Sequence, residues 1–281
     1  MSEGIQWSQK TRCDEDDLFE YIFQADEKSE GKLEVEQFSL EIDAAKFNEK
    51  ALAGYLSNKL EEFAFSEQEI QEYKNSSTEV PFREAQKKLN RHPDDTEGTW
   101  GELLLFAMTE FIYEMPLICH KLSLKQNNNL EIFGSDGIFY GNIDGKEHLG
   151  VGESKTVKGL KYAIKDAISS IDRFHNPEDE DVKDQEMYFV SKNLSEDLSK
   201  KEQKNLSESL TNSKNNRIVH PTLICFEKEE FNEIEREFTE TEGMKEEVEE
   251  TLQDEEFLEE IKDELQDYPE VSKHKILVMI L

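Results

Sequence analysis

Gly134-Ser135-Asp136-Gly137 through Gly152-Glu153-Ser154-Lys155 is the stretch whose reading decides the fold, because it sets an acid, a hairpin, and then an acid and a lysine two residues apart. Between the acids, Ile138-Phe139-Tyr140 and Leu149-Gly150-Val151 are strand-like, and the Asp-Gly pair in Asn142-Ile143-Asp144-Gly145 signals a hairpin turn. Asp136 and Glu153 therefore fall on neighbouring antiparallel strands. A strand has a period of two, so Leu149, Val151, Glu153 and Lys155 share one face, with the charges at the strand's carboxyl end. Two carboxylates presented in this way are hard oxygen ligands of the kind Mg²⁺ or Mn²⁺ takes. A lysine beside them can position an attacking water and neutralise charge growing on a phosphodiester. The competing readings are a turn role for Asp136 and a solvated ion pair of little energetic worth for Glu153 and Lys155.

A third acid comes from upstream. Thr99-Trp100-Gly101-Glu102-Leu103-Leu104-Leu105-Phe106 opens a helix that is apolar almost all round and ends near Met115-Pro116, where proline stops it. Such a helix packs inside a domain, so its early acid, Glu102, faces something other than bulk water. Thr99-x-x-Glu102 also matches a capping box, in which the glutamate would satisfy only the helix's own amide.

These segments carry a resemblance. Glu102, Ser135-Asp136-Gly137 and Glu153-Ser154-Lys155 on consecutive elements resemble the PD-(D/E)XK nuclease core, with Ser135 where that motif has proline. Gly101-Glu102-Leu103-Leu104, Gly134-Ser135-Asp136-Gly137 and the Gly-Glu-Ser-Lys at 152 to 155 resemble more closely the HamA family, the nuclease subunits of the bacterial Hachiman anti-phage defence system. The resemblance implies an α/β fold with a restriction-endonuclease-like core, a mixed sheet flanked by helices. Its expected extent is residues 99 to 281, preceded by an amino-terminal α+β accessory part over residues 1 to 98. It implies metal-dependent DNA cleavage, with Mg²⁺ or Mn²⁺ held by Asp136, Glu153 and the Ser154 carbonyl. Lys155 would serve the nucleophilic water, and Glu102 would orient water or metal. The implied partner is a HamB-like superfamily 2 helicase that restrains the nuclease and delivers DNA to it. The alternative, from another functional class, is a catalytically silent nuclease-fold subunit that only restrains the helicase.

Charge bears on that expectation. The 281 residues carry a net charge of -32, which repels a phosphate backbone. The excess is concentrated: residues 227 to 270 hold 21 acids and 4 bases, whereas residues 152 to 175 hold five Lys/Arg against three acids. The site can thus be locally positive on an acidic protein. Lys158, Lys161 and Lys165 share one helical face beside it, as phosphate contacts or simply as a wet surface. The acidic segment reads as two helices with a solvated face, or as a DNA mimic or a dock for a basic surface on the helicase. No apolar run approaches the ~18 residues of a membrane helix, and Cys13, Cys119 and Cys225 form no C-x-x-C, which fits a cytoplasmic protein. The six histidines show no metal-ligand spacing and read as ordinary structural or surface residues.

Elsewhere the pattern predicts a loose arm over 1 to 31, a strand over 32 to 43, a helix from Ala44 to Phe65, and short helices near 66 to 74 and 81 to 90. It then predicts a strand near 117 to 125 and a helix near 158 to 174. Residues 176 to 216 read as helical pieces or a mobile insertion. Two later strands follow, at 218 to 226, where Pro221 marks an irregular start, and at 275 to 281.

Overall fold

The turn at Asp144-Gly145 takes the left-handed backbone that its residue types favour, with φ of 53° and 73°. The computed structural model describes residues 6–13, 18–76, 80–89, 96–120, 134–156, 159–175, 180–211, 217–253 and 256–281, and places this turn in a six-stranded mixed sheet. Its strands are β1 (Ile22–Glu30), β2 (Leu33–Leu40), β5 (Gly137–Ile143), β6 (Lys146–Thr156), β7 (Ile218–Cys225) and β8 (Lys275–Ile280), and β3 (Ile42–Asp43) and β4 (Lys46–Phe47) form a small separate pair. The order across the sheet is β1-β2-β8-β7-β6-β5. The four inner strands run parallel, and β1 and β5 close the two edges antiparallel.

Helices cover both faces, as a mostly parallel sheet requires. On one face α1 (Glu49–Ala64) and α4 (Thr96–Tyr113) bury Leu60, Phe63 and Phe106 against Phe38, Phe139, Leu223 and Leu277. Two shorter helices, α2 (Glu67–Asn75) and α3 (Pro81–Leu89), follow α1 and add Ile70 and Ala85 to that core. On the other face α5 (Leu160–His175) packs through Ala163, Ile164, Ile168 and Ile171. No described helix is long and apolar enough to cross a membrane.

Several expectations are revised. The division at residue 98 runs through one sheet, because β2 lies beside β8 with Leu33 opposite Ile276. The arm before residue 31 is tied down: it contains β1, and the amides of Arg12 and Cys13 donate to the buried Glu110 of α4. α1 starts at Glu49, since Ala44 and Ala45 have φ of 50° and 55° and the Asn48 side chain caps the helix at Ala51. Near 117 to 125, Leu117 makes only an isolated bridge to Phe139, and residues 121 to 133 lie outside the described residues. The polar span 176 to 216 contains α6 (Glu180–Lys192) and α7 (Lys200–Thr211), whose Met187, Val190, Leu206 and Leu210 cover Ile138 and Tyr140 of β5. The acidic segment folds as α8 (Glu229–Glu237), α9 (Thr241–Gln253) and α10 (Phe257–Leu265), with Ile234, Met244, Val248 and Ile261 turned into the core.

The largest revision concerns Pro221, which sits in the interior of the central strand β7, opposite Leu277. Proline has no amide hydrogen, and the β6–β7 ladder is interrupted there, between the pairs Gly150↔Val219 and Glu153↔Thr222. The parallel register would send the amide of residue 221 to the carbonyl of Val151. His220 supplies the missing donor: its Nδ1 lies 3.1 Å from that carbonyl. This fixes the tautomer, so Nε2 accepts from His175 Nε2 at 2.7 Å, and His274 stacks on His175 with ring centroids 3.9 Å apart. Burial, foremost, pushes His175 down to about 2, His220 to about 3 and His274 to about 4, with the nearby Lys183 ammonium adding to each shift.

His220→Ala should lower stability by about 1–3 kcal/mol, because it leaves a buried carbonyl without a donor. His220→Ala with Pro221→Ala should recover part of that loss, since residue 221 then carries an amide hydrogen. Urea denaturation of the two variants checks this, and a double variant no better than the single one would refute the donor role.

The three depressed histidines stabilise the fold fully above the unfolded value of about 6.5, and that contribution is lost as pH falls toward their folded values. The stability difference between the protein and a His175→Gln, His220→Gln variant should therefore narrow from pH 7 to pH 5 in urea titrations. A constant difference would show that the rings carry no such linkage.

Candidate metal centre

The antiparallel ladder of β5 and β6 ends at the pair Gly137↔Gly152. Continued by one step, it sets Asp136 opposite Glu153, and the Asp136 amide does donate to the Gly152 carbonyl at 2.8 Å. The Asp136 carboxylate is then held through Oδ2 by two donors of Ser154, the amide at 2.7 Å and the hydroxyl at 2.8 Å. Its Oδ1 takes no hydrogen bond from a described residue.

Glu153 lies on the opposite face of β6 from the Ser154 side chain and is only 5% exposed. Its Oε1 meets Lys155 Nζ at 2.7 Å, so the two side chains share a face as the strand period predicts. Burial pushes the Glu153 carboxyl up to about 7, and the neighbouring charge of Asp136 adds to it. Lys155 and the Ser170 hydroxyl of α5 work in the other direction, and Arg173 in turn donates to Ser170 at 2.8 Å. A buried acid facing another acid is a poor resting place for two negative charges and a good one for a divalent cation.

α4 reaches this strand end through a residue without a side chain. A Cβ on Gly101 would lie 3.0 Å from Thr156 Oγ1 and 3.2 Å from Ser154 Oγ, so the helix backbone sits directly on the strand. Glu102 is the next residue and is half-buried. Helix α4 begins at Thr96, which places Thr99 inside it and removes the capping-box reading of Glu102.

The structure thus brings together Asp136, Glu153, Ser154 and Lys155, with Glu102 next to the glycine by which α4 touches Ser154 and Thr156. Among the described residues no three His, Cys, Asp or Glu side chains converge as one metal-holding group. A cation here would draw on the pair Asp136 and Glu153 with backbone oxygen and water, a donor set suited to Mg²⁺ or Mn²⁺, ions that keep several waters. Ser154 fits this set, because its amide points toward β5 and in an extended strand the carbonyl of the same residue points the same way, here past the last β5 pair. Lys161 and Lys165 are exposed on α5, and Lys158 lies outside the described residues.

The HamA family profile matches residues 15–281. The chain belongs to the HamA family. No curated protein matches it. Membership of HamA makes the chain a component of Hachiman anti-phage defence.

Sequence reasoning missed two side chains beside this HamA site. Ser170 is buried under α5, and Glu186 of α6, only 2% exposed, accepts a hydrogen bond from the Ser135 hydroxyl. The signal for Glu186 was present: it stands four residues before Val190 and so falls on the apolar stripe that α6 buries.

Asp136→Asn removes the like charge beside Glu153 yet keeps an oxygen that can accept from Ser154. It should stabilise the metal-free protein at pH 8 by on the order of 1 kcal/mol. Thermal unfolding in chelator checks this, and an unchanged or lower midpoint would mean that the two carboxylates do not repel.

Proposed function

We propose that this HamA-family chain is a metal-dependent DNA nuclease with a restriction-endonuclease-like PD-(D/E)XK core, acting as the effector of its defence system. The observation that carries this reading is the buried Glu153, ion-paired with Lys155 and facing Asp136 at one strand end. A structural ion pair has no need of a second acid beside it, and a domain kept only for binding has no physical reason to bury one. A bound Mg²⁺ or Mn²⁺ would make its water a stronger acid and draw charge from the phosphodiester oxygens.

The protein's own groups do the rest. Ser154 fixes Asp136 through two hydrogen bonds, both to Oδ2, which leaves Oδ1 as the oxygen that would meet a cation. Ser170, itself held by Arg173, favours the charged form of Glu153. Lys155 Nζ holds the attacking water or the developing negative oxygen, and Glu102 orients water at the helix turn above. Lys161, Lys165 and Lys158 would take flanking phosphates. Nothing in the site reads bases, which implies little sequence specificity.

The net charge of -32 opposes unaided DNA binding, so the reading includes delivery by a HamB-like helicase that also holds the nuclease in check. The test is cleavage of plasmid and linear DNA in Mg²⁺ by the chain alone and with its helicase and ATP. Lys155→Ala should reduce the rate roughly 10²- to 10⁴-fold, and Glu153→Ala with Lys155→Ala should abolish it. No cleavage in any combination, with helicase ATPase still altered by the chain, would replace this reading with the silent regulatory subunit.

A further inference from the structure

We propose that Glu186 is a positioning residue for Asp136, acting through Ser135, an inference that rests on the metal-site reading above. Asp136 stands one residue beyond the last ladder pair, Gly137↔Gly152, and the bond from its amide to the Gly152 carbonyl is the last that strand pairing supplies, so the ladder does not hold Ser135 before it. It also lies between Ser135 and Gly137, with an exposed Gly134 one step further back. Such a segment keeps a carboxylate in one place only if both of its sides are anchored.

One anchor is Ser154, which binds the Asp136 carboxylate directly. The other is on the preceding residue. Ser135, 8% exposed, donates its hydroxyl to Glu186 Oε1, and Glu186 is 2% exposed on α6. That helix is itself docked on β5, since Met187 and Val190 pack with Ile138 and Tyr140. The buried carboxylate therefore ties the chain just before Asp136 to a rigid element on the Glu153 side of the sheet. A buried acid without function would be replaced at no loss by an apolar residue on this stripe, because burying a carboxylate costs free energy that packing alone does not return.

The arrangement predicts a division between two kinds of substitution. Glu186→Gln keeps an oxygen that accepts from Ser135, whereas Glu186→Leu and Ser135→Ala each remove the bond. Mn²⁺ binding to the metal-free full chain, followed by isothermal titration, separates them. Glu186→Leu and Ser135→Ala should each weaken Mn²⁺ by roughly 10- to 100-fold, and the two together by no more than either alone. Glu186→Gln should stay within about threefold of the unsubstituted chain.

Mn²⁺ affinity unchanged in a folded Glu186→Leu or Ser135→Ala variant would overturn the proposal and leave the pair as packing. Glu186→Gln as damaging as Glu186→Leu would overturn it differently, by making the charge itself the active feature. Absence of Mn²⁺ binding by the unsubstituted chain, relative to Asp136→Asn, would bring down the metal-site reading and this inference with it.

Discussion

The glycine face of β6 is the constraint on which the rest of the site depends. A Cβ on Gly150 would lie 3.0 Å from the Met115 methyl, and one on Gly152 would lie 3.0 Å from a Leu105 methyl. Both would also strike Phe139, Gly150 at its Cβ and Gly152 at its ring. Their absence lets the Leu105 side of α4 and the chain after it settle onto the strand. The same close approach continues to Gly101 over Ser154 and Thr156, which is how a long apolar helix brings Glu102 to the end of β6. Because a strand alternates, the opposite face of β6 carries Leu149, Val151, Glu153 and Lys155 under α5 and α6. The strand thus sorts the close approach of α4 to one face and the Glu153–Lys155 pair to the other.

How much of this could be read from the chain follows from the range of the interactions. The Asp144-Gly145 turn is decided by the local conformational preference of two residues, and once it is placed the register of β5 on β6 follows. That register sets Asp136 opposite Glu153, so the heart of the candidate site was legible. The membership of β1 and β2 in the same sheet was not, because it depends on β8, whose residues lie at the other end of the chain. The start of α1 was misread because Ala44 and Ala45 look like helix formers and instead make a left-handed turn that only the β3–β4 pairing requires. Glu186 could be marked by its place on the apolar stripe of α6, but the role of such a residue, like that of Ser170, shows only when its partner across the interface is known.

Pro221 shows a rule followed correctly to a wrong place. Proline is excluded from central strands because it leaves a carbonyl without a donor, and the physics of that exclusion holds here as well. The fold meets it with the preceding residue, His220, whose ring reaches the Val151 carbonyl across the gap. The cost passes outward to the ring's second nitrogen, which must be met by His175 in an apolar setting where neither ring can take a charge. What looks like a metal-binding histidine cluster is in this light a repair of the backbone ladder, and its neutrality is part of the repair.

Charge is arranged on two scales that pull against each other. On the large scale, α8, α9 and α10 turn apolar residues inward and leave most of an excess of 21 acids over 4 bases facing outward, which keeps an unescorted polyanion away. On the small scale, Glu153 is pressed into the sheet beside Asp136 with Lys155 as its direct cation, and burial makes the carboxyl prefer a proton near neutral pH. Neither arrangement stabilises the isolated chain. A divalent cation would relieve the first-neighbour repulsion between the two acids, and a basic partner surface would relieve the outer field. On the proposed function, a cation at the two acids and a basic surface against the acidic helices would each add stability that the isolated chain lacks.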